Sequence, residues 1–195
     1  MLVRAVLARP WTLTHVAGAG AAAAGLTISL VVAPNAHGIA GAGLAVIMVA
    51  IAAVDSRYFI IPDELNIAAL ALALVDAGFR NSGDAAEAIG LAILRAAVLS
   101  LIFLSLRIAY RMLRNREGLG MGDVKLAGVA GAWLGWQAAP IAVEIAALAA
   151  LSAYVIYRHV FNRTFRATHR LPFGLFFAPA IWLGWLLEIT GVMPS

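Results

Sequence analysis

The chain has 195 residues, of which 63% are hydrophobic and only 12% charged, too few charges to cover the surface of a water-soluble domain of this size. It contains no cysteine, which excludes disulfides, thiol catalysis and cysteine-ligated metal. Its 14 basic against 10 acidic residues form no stripe with interleaved aromatics, so no nucleic-acid partner is expected.

Apolar runs approach or reach the roughly 20 residues a helix needs to cross the hydrocarbon core, and they recur along the whole chain. That recurrence argues against a soluble protein with a removable signal peptide. Taken in order, the runs predict seven membrane helices over approximately 12–33, 38–54, 65–79, 87–110, 124–138, 139–160 and 173–191. The expected fold is therefore all-α, a polytopic transmembrane bundle of about seven helices. The fifth and sixth runs are split only by Trp136, Gln137 and Pro140, so six is the competing count. Seven is preferred because Val124 to Tyr157 is too long for one crossing. Trp11, Trp133, Trp136 and Tyr157 stand near run ends, as interfacial anchors do. Gly38, Gly41, Gly43, Gly128, Gly131 and Gly135 read as positions of close helix packing. No repeat period or polar linker divides the chain, and 1–195 reads as one integral membrane domain.

Charge fixes the sidedness. With seven helices, Arg4, Arg9, Arg57, Arg107, Arg111, Arg114, Arg116, Lys125, Arg158, Arg163, Arg166 and Arg170 fall at one side, and only Arg80 and Arg95 fall elsewhere. The positive-inside rule makes the crowded side cytoplasmic, with the N-terminus inside and the C-terminus outside.

Ionisable groups in or beside membrane helices are costly, and each calls for a functional reading beside a structural one. Asp55 ends the second run, and Asp123 opens the fifth within Gly118-Leu119-Gly120-Met121-Gly122-Asp123-Val124-Lys125. The topology puts both at the cytoplasmic end at similar depth. Two carboxylates in a poorly solvated site cannot both ionise cheaply, so they tend to share one proton. Such a pair can hydrolyse a peptide bond. Gly120 and Gly122 would admit unusual backbone or a close neighbour beside Asp123. The competing reading makes each aspartate a helix-end cap or the partner of an arginine.

The tetrad Gly120-Met121-Gly122-Asp123 with Lys125 resembles the GxGD motif of type IV prepilin peptidases, which are related to preflagellin peptidases. Asp55 followed by Pro62-Asp63 resembles that family's other aspartate site, and Leu171-Pro172-Phe173-Gly174 its proline–phenylalanine–glycine signature. Leu175 departs from the family, where a second proline is common. The resemblance covers roughly 38–190 and implies a peptidase core over 38–191 after one extra N-terminal helix. It implies that Asp55 and Asp123 are catalytic, with Gly120, Gly122, Lys125, Pro62 and Asp63 supporting them or binding substrate. The implied substrates are type IV prepilins or pseudopilins, cut at the cytoplasmic face of the bacterial inner membrane after a short basic leader. Pilus or secretion assembly components are implied as further partners beside the lipid bilayer. Neither cofactor nor metal is implied. The paired cysteines of a methyltransferase domain are missing, so peptidase activity alone is expected.

Other residues leave alternatives. Asp63 is close enough to Asp55 to replace it, although Pro62 puts it at a turn or helix start. Lys125 could orient Asp123, contact substrate, or snorkel to the interface. Glu144 and Glu188 are expected to face the bundle. A proton- or cation-conducting transporter built on the same carboxylates is the alternative function, and would spread acids through the membrane depth. An inactive assembly subunit is a third.

Overall fold

The computed structural model describes residues 13–80, 83–115, 118–160 and 172–192. Within them lie seven α-helices: α1 Leu13–Val32, α2 Ala36–Tyr58, α3 Asp63–Arg80, α4 Ala85–Arg114, α5 Met121–Trp133, α6 Ala138–Val160 and α7 Phe173–Ile189. The expected all-helical, seven-helix bundle is what the chain forms. Arg4, Arg9, Trp11, Arg116, Arg163, Arg166, Arg170 and Leu171 lie outside the described residues.

Local chemistry sets the helix ends. Asn35 caps α2, its side chain accepting from Gly38 N at 3.1 Å, and Asp84 caps α4 by accepting from Glu87 N at 3.2 Å. The closing residues Phe59 and Asn115 are left-handed, with φ of 54° and 52°. Asparagine accepts that conformation readily, whereas a bulky Phe59 does so only under constraint, at the turn that carries the chain from α2 back into α3.

α2, α4 and residues Ala138–Ile156 of α6 are long and apolar enough to cross a membrane, and the apolar helices at Val16–Val32 and Phe173–Ile189 are shorter. The chain is a multi-pass membrane protein. α4, with 30 residues, is about 45 Å long and overshoots a core of about 30 Å. Its last turn carries Arg111 and Arg114.

The fifth run departs most from expectation. α5 has 13 residues, about 20 Å, too short to cross by itself. Val124 and everything from Leu126 to Trp133 are buried, because α3, α4, α6 and α7 all pack on it. Its break comes earlier than expected, over Leu134–Gln137, because Gly135 N donates to Glu188 Oε1 at 2.8 Å and so leaves the helical ladder. Pro140 then falls in the first turn of α6, where its missing N–H costs nothing. Trp133 is not an interfacial anchor. It is 1% exposed, and its indole donates to Ala69 O at 2.9 Å, whereas Trp136 is exposed.

Candidate active site

Successive helices alternate in direction, so the end of α2 and the starts of α3, α5 and α7 meet at one end of the bundle. Asp55 sits in the last turn of α2 and is 5% exposed. A buried carboxylate needs donors. It finds them at the start of α7, where Leu175 N donates to Asp55 Oδ2 at 2.9 Å and Gly174 N also contributes. These first-turn N–H groups have no partner within their own helix and carry the positive end of its dipole.

Asp123 is the third residue of α5, and its Oδ2 accepts from Gly120 N at 3.0 Å, an arrangement that also caps its own helix. Both aspartates thus do helix-end duty. The two are near enough for the charge on Asp55 to act on Asp123.

Buried Ile61 wedges the two sites together. A Cβ at Gly122 would lie 2.9 Å from Ile61 Cβ, and one at Gly174 would lie 2.9 Å from both Ile61 Cδ1 and Asp55 Oδ2. Gly122 is therefore needed for close approach. The expected unusual backbone is not found: Gly120 has φ −71°, open to any residue, and Gly122 is helical.

Pro62 leads directly into α3, and Asp63 is that helix's first residue, 60% exposed. Lys125 Nζ meets Asp63 Oδ1 at 2.6 Å. Lys125 is thus engaged with Asp63 and does not orient Asp123.

At the opposite end, His37 Nδ1 lies 2.7 Å from Asp76 Oδ1, and Arg80 Nε lies 3.1 Å from Asp76 Oδ2. Trp185 Nε1 donates to His37 Nε2 at 3.1 Å. A cavity of about 220 Å³ opens among these groups, Arg95 and Glu188. Glu188 faces the bundle as expected. Glu144 does not; it is exposed on α6.

Ile61 and the N–H of Leu175 carry no signal of their own in the sequence. Gly174 was legible as part of the Pro-Phe-Gly element, but its closeness to Asp55, across 119 positions of chain, was not.

An all-helical, multi-pass membrane bundle with a carboxylate pair at one end, Asp55 buried and Asp123 half-buried, defines the class. The type IV leader peptidase family matches residues 42–155, a stretch that includes Asp55 and Asp123, and the chain belongs to that family. The chain is 30% identical over 164 residues to the prepilin leader peptidase/N-methyltransferase of Aeromonas hydrophila, covering 83% of this chain and 53% of that protein. It is 34% identical over 145 residues to the Dickeya chrysanthemi protein of the same name, covering 74% and 49%. Leader peptidase HopD of Escherichia coli is 32% identical over 138 residues, 70% of this chain and 86% of that protein. The chain spans about half the length of the first two relatives. No solved structure matches.

Proposed function

We propose that this chain is a membrane aspartyl endopeptidase that removes the short basic leader from type IV prepilins or pseudopilins, with Asp55 and Asp123 as its acid–base pair. The observation that carries this reading is the convergence of two carboxylates from separate helices at one end of the bundle, each held by backbone N–H groups, with the charge on Asp55 acting on Asp123. The family of the chain and the printed names of its relatives support the substrate class. The basic residues at the ends of α2 and α4 support a cytoplasmic location for this end in the inner membrane, with the N-terminus inside and the C-terminus outside. The methyltransferase named in the longer relatives is not part of the proposal.

In the reaction, the ionised carboxylate takes a proton from water as the water oxygen bonds to the scissile carbonyl carbon. The other carboxyl, protonated, donates to the carbonyl oxygen and stabilises the tetrahedral adduct. The C–N bond then breaks as the amine takes the proton that came from water, and the proton lent to the carbonyl oxygen returns to the second carboxylate, which restores the pair. Gly120, Gly122, Pro62, Ile61 and the start of α7 hold the pair in position; positioning and proton transfer together supply the rate.

The test is co-expression with candidate prepilins, following leader removal. Asp55→Asn and Asp123→Asn should each lower cleavage by about 10²- to 10⁴-fold. Full processing by both variants at normal protein levels overturns the mechanism. Loss of cleavage in Asp63→Asn but not in Asp55→Asn reassigns the first carboxylate.

A further inference from the structure

A groove of about 470 Å³ runs along the outside of the bundle between α3, α4 and α5, starting at the Asp63–Lys125 pair. Its volume lies within the range of sites that hold ligands. Below that pair its walls are mostly apolar, with Ile67 and Leu70 from α3, Ile93 and Ala97 from α4, and Gly128 of α5 at its back beside the Ser100 hydroxyl of α4. Asn66 also lines it. That side chain is 5% exposed, and neither its Oδ1 nor its Nδ2 has a hydrogen-bond partner among the described residues. A buried amide left without partners costs about 1–3 kcal/mol for each unmet group, so its presence in this mostly apolar wall requires a reason.

We infer that this groove receives the apolar segment of the substrate, and that Asn66 binds one of its peptide groups, its Nδ2 donating to a carbonyl and its Oδ1 accepting from an N–H. This inference rests on the peptidase reading. Asn66 itself selects the occupant. A lipid acyl chain offers neither donor nor acceptor. An intact helix offers none either, since its backbone is bonded internally except at its ends. A stretch of peptide leaving the helical state offers both, and a protease needs such a stretch at its cleavage site.

Position agrees with this role. Asn66 lies one helical turn into α3 from Asp63, hence near the same end of the bundle as the carboxylates. Asp123 and Lys125, two residues apart, point to different faces of α5. The first turn of α5 therefore separates groove from carboxylates, and the unwound segment passes over it. The mouth carries the Asp63–Lys125 ion pair, which marks the polar end of the groove. Occupation of the groove turns the Asn66 amide from its sealed position onto the peptide.

The full-length protein in lipid nanodiscs tests this with a synthetic peptide of a short lysine-containing leader and about 20 apolar residues. Asn66→Leu should raise KM about tenfold with kcat within about twofold, while the protein unfolds at no lower temperature, because removing an unpaired buried amide is neutral or stabilising. A purely structural Asn66 would leave KM unchanged. The chain has no cysteine, so Ala97→Cys supplies a unique thiol. In an Asp123→Asn background it should crosslink to a cysteine in the peptide's apolar part about tenfold faster than Leu151→Cys on the exposed face of α6. Asn66→Leu should suppress that difference. Equal crosslinking at both positions, as expected if lipid fills the groove, or an unchanged KM in Asn66→Leu, overturns the inference. If the wild-type protein cleaves no leader while the Ala97→Cys variant still crosslinks to the peptide, the peptidase reading is overturned and the groove stands.

Discussion

The two ends of the bundle bury carboxylates in opposite ways. At the far end Asp76 is 3% exposed and has both oxygens engaged, His37 Nδ1 lying 2.7 Å from Oδ1 and 2.9 Å from Oδ2 and Arg80 reaching Oδ2 as well. Because Trp185 donates to Nε2, the proton of neutral His37 sits on Nδ1 and points to Asp76. At the near end Asp55 and Asp123 are held by backbone N–H groups. A carboxylate locked between guanidinium and imidazole donors is fixed in place, whereas one held by N–H groups through one oxygen keeps the other for water or substrate. The same residue type thus serves as a clamp at one end and as a candidate acid or base at the other. Between them the interior is apolar, with Leu44, Met48, Ile51, Leu126 and Val129 at most 2% exposed. Nothing in this separation favours an ion path through the membrane.

Paired substitutions should break the comparison most sharply. Asp123→Asn should lower kcat by about 10²- to 10⁴-fold with little change in unfolding temperature, since its amide oxygen still accepts from Gly120 N. Asp76→Asn should do the reverse. Breaking a fully buried ion pair costs about 3–5 kcal/mol. Because Arg80 is 39% exposed, about 2–3 kcal/mol is expected here, with cleavage per folded molecule within about threefold of wild type. Thermal unfolding and cleavage measured on the same preparations check both. A stable Asp76→Asn protein without activity would bring the far end into the machinery.

Smaller changes test how the near end is held. Leu175→Pro deletes the N–H that reaches Asp55 at 2.9 Å, at a first-turn position whose N–H has no partner in its own helix. A hydrogen bond to a charged group is worth about 1.5–3 kcal/mol. Cleavage should fall about tenfold or more with the fold retained, read as kcat by peptide assay. Leu175 departs from the proline common at this place, and in this chain the departure provides a hydrogen bond. Gly122→Ala should lower cleavage by less, about fivefold, by pushing Ile61 away, and Ile61→Ala in the same chain should restore part of the loss. Additive losses would show that the two positions are not coupled through this contact.

What the sequence makes legible follows from which forces leave a periodic or compositional trace. The number of helices and the common end of Asp55 and Asp123 are legible because run length and arginine placement answer to the bilayer. The nature of α5 is not. A helix enclosed on all sides and one facing lipid are both uniformly apolar, so Val124 to Trp133 reads as a crossing although it is buried within the bundle. Trp133 looks like an anchor for the same reason, since its bond to Ala69 O exists only once α3 and α5 pack. Gly122 is legible through its motif, but Leu175 acts through its backbone, which every residue except proline has. Asn66 lies within the segment that marks the first aspartate. Only the assembled helices show that its amide is buried without a partner.

The smallest effect bears on the alternative first carboxylate. Asp63 and Lys125 form a short contact, but their side chains are 60% and 44% exposed, and an exposed pair contributes about 0.2–1 kcal/mol. If Asp55 is the working group, Asp63→Asn should change cleavage by no more than about threefold, mainly through KM, because the pair stands at the mouth of the groove. Lys125→Met should act similarly, and the double variant should be no worse than the stronger single one. The measurement is a double-mutant cycle on KM and kcat at two salt concentrations, since screening weakens an exposed pair. A loss in Asp63→Asn as deep as in Asp123→Asn would make Asp63 the partner and leave Asp55 as the cap of α7. The short ion pair would then hold Asp63 in place, and its loss in Lys125→Met would be read in kcat.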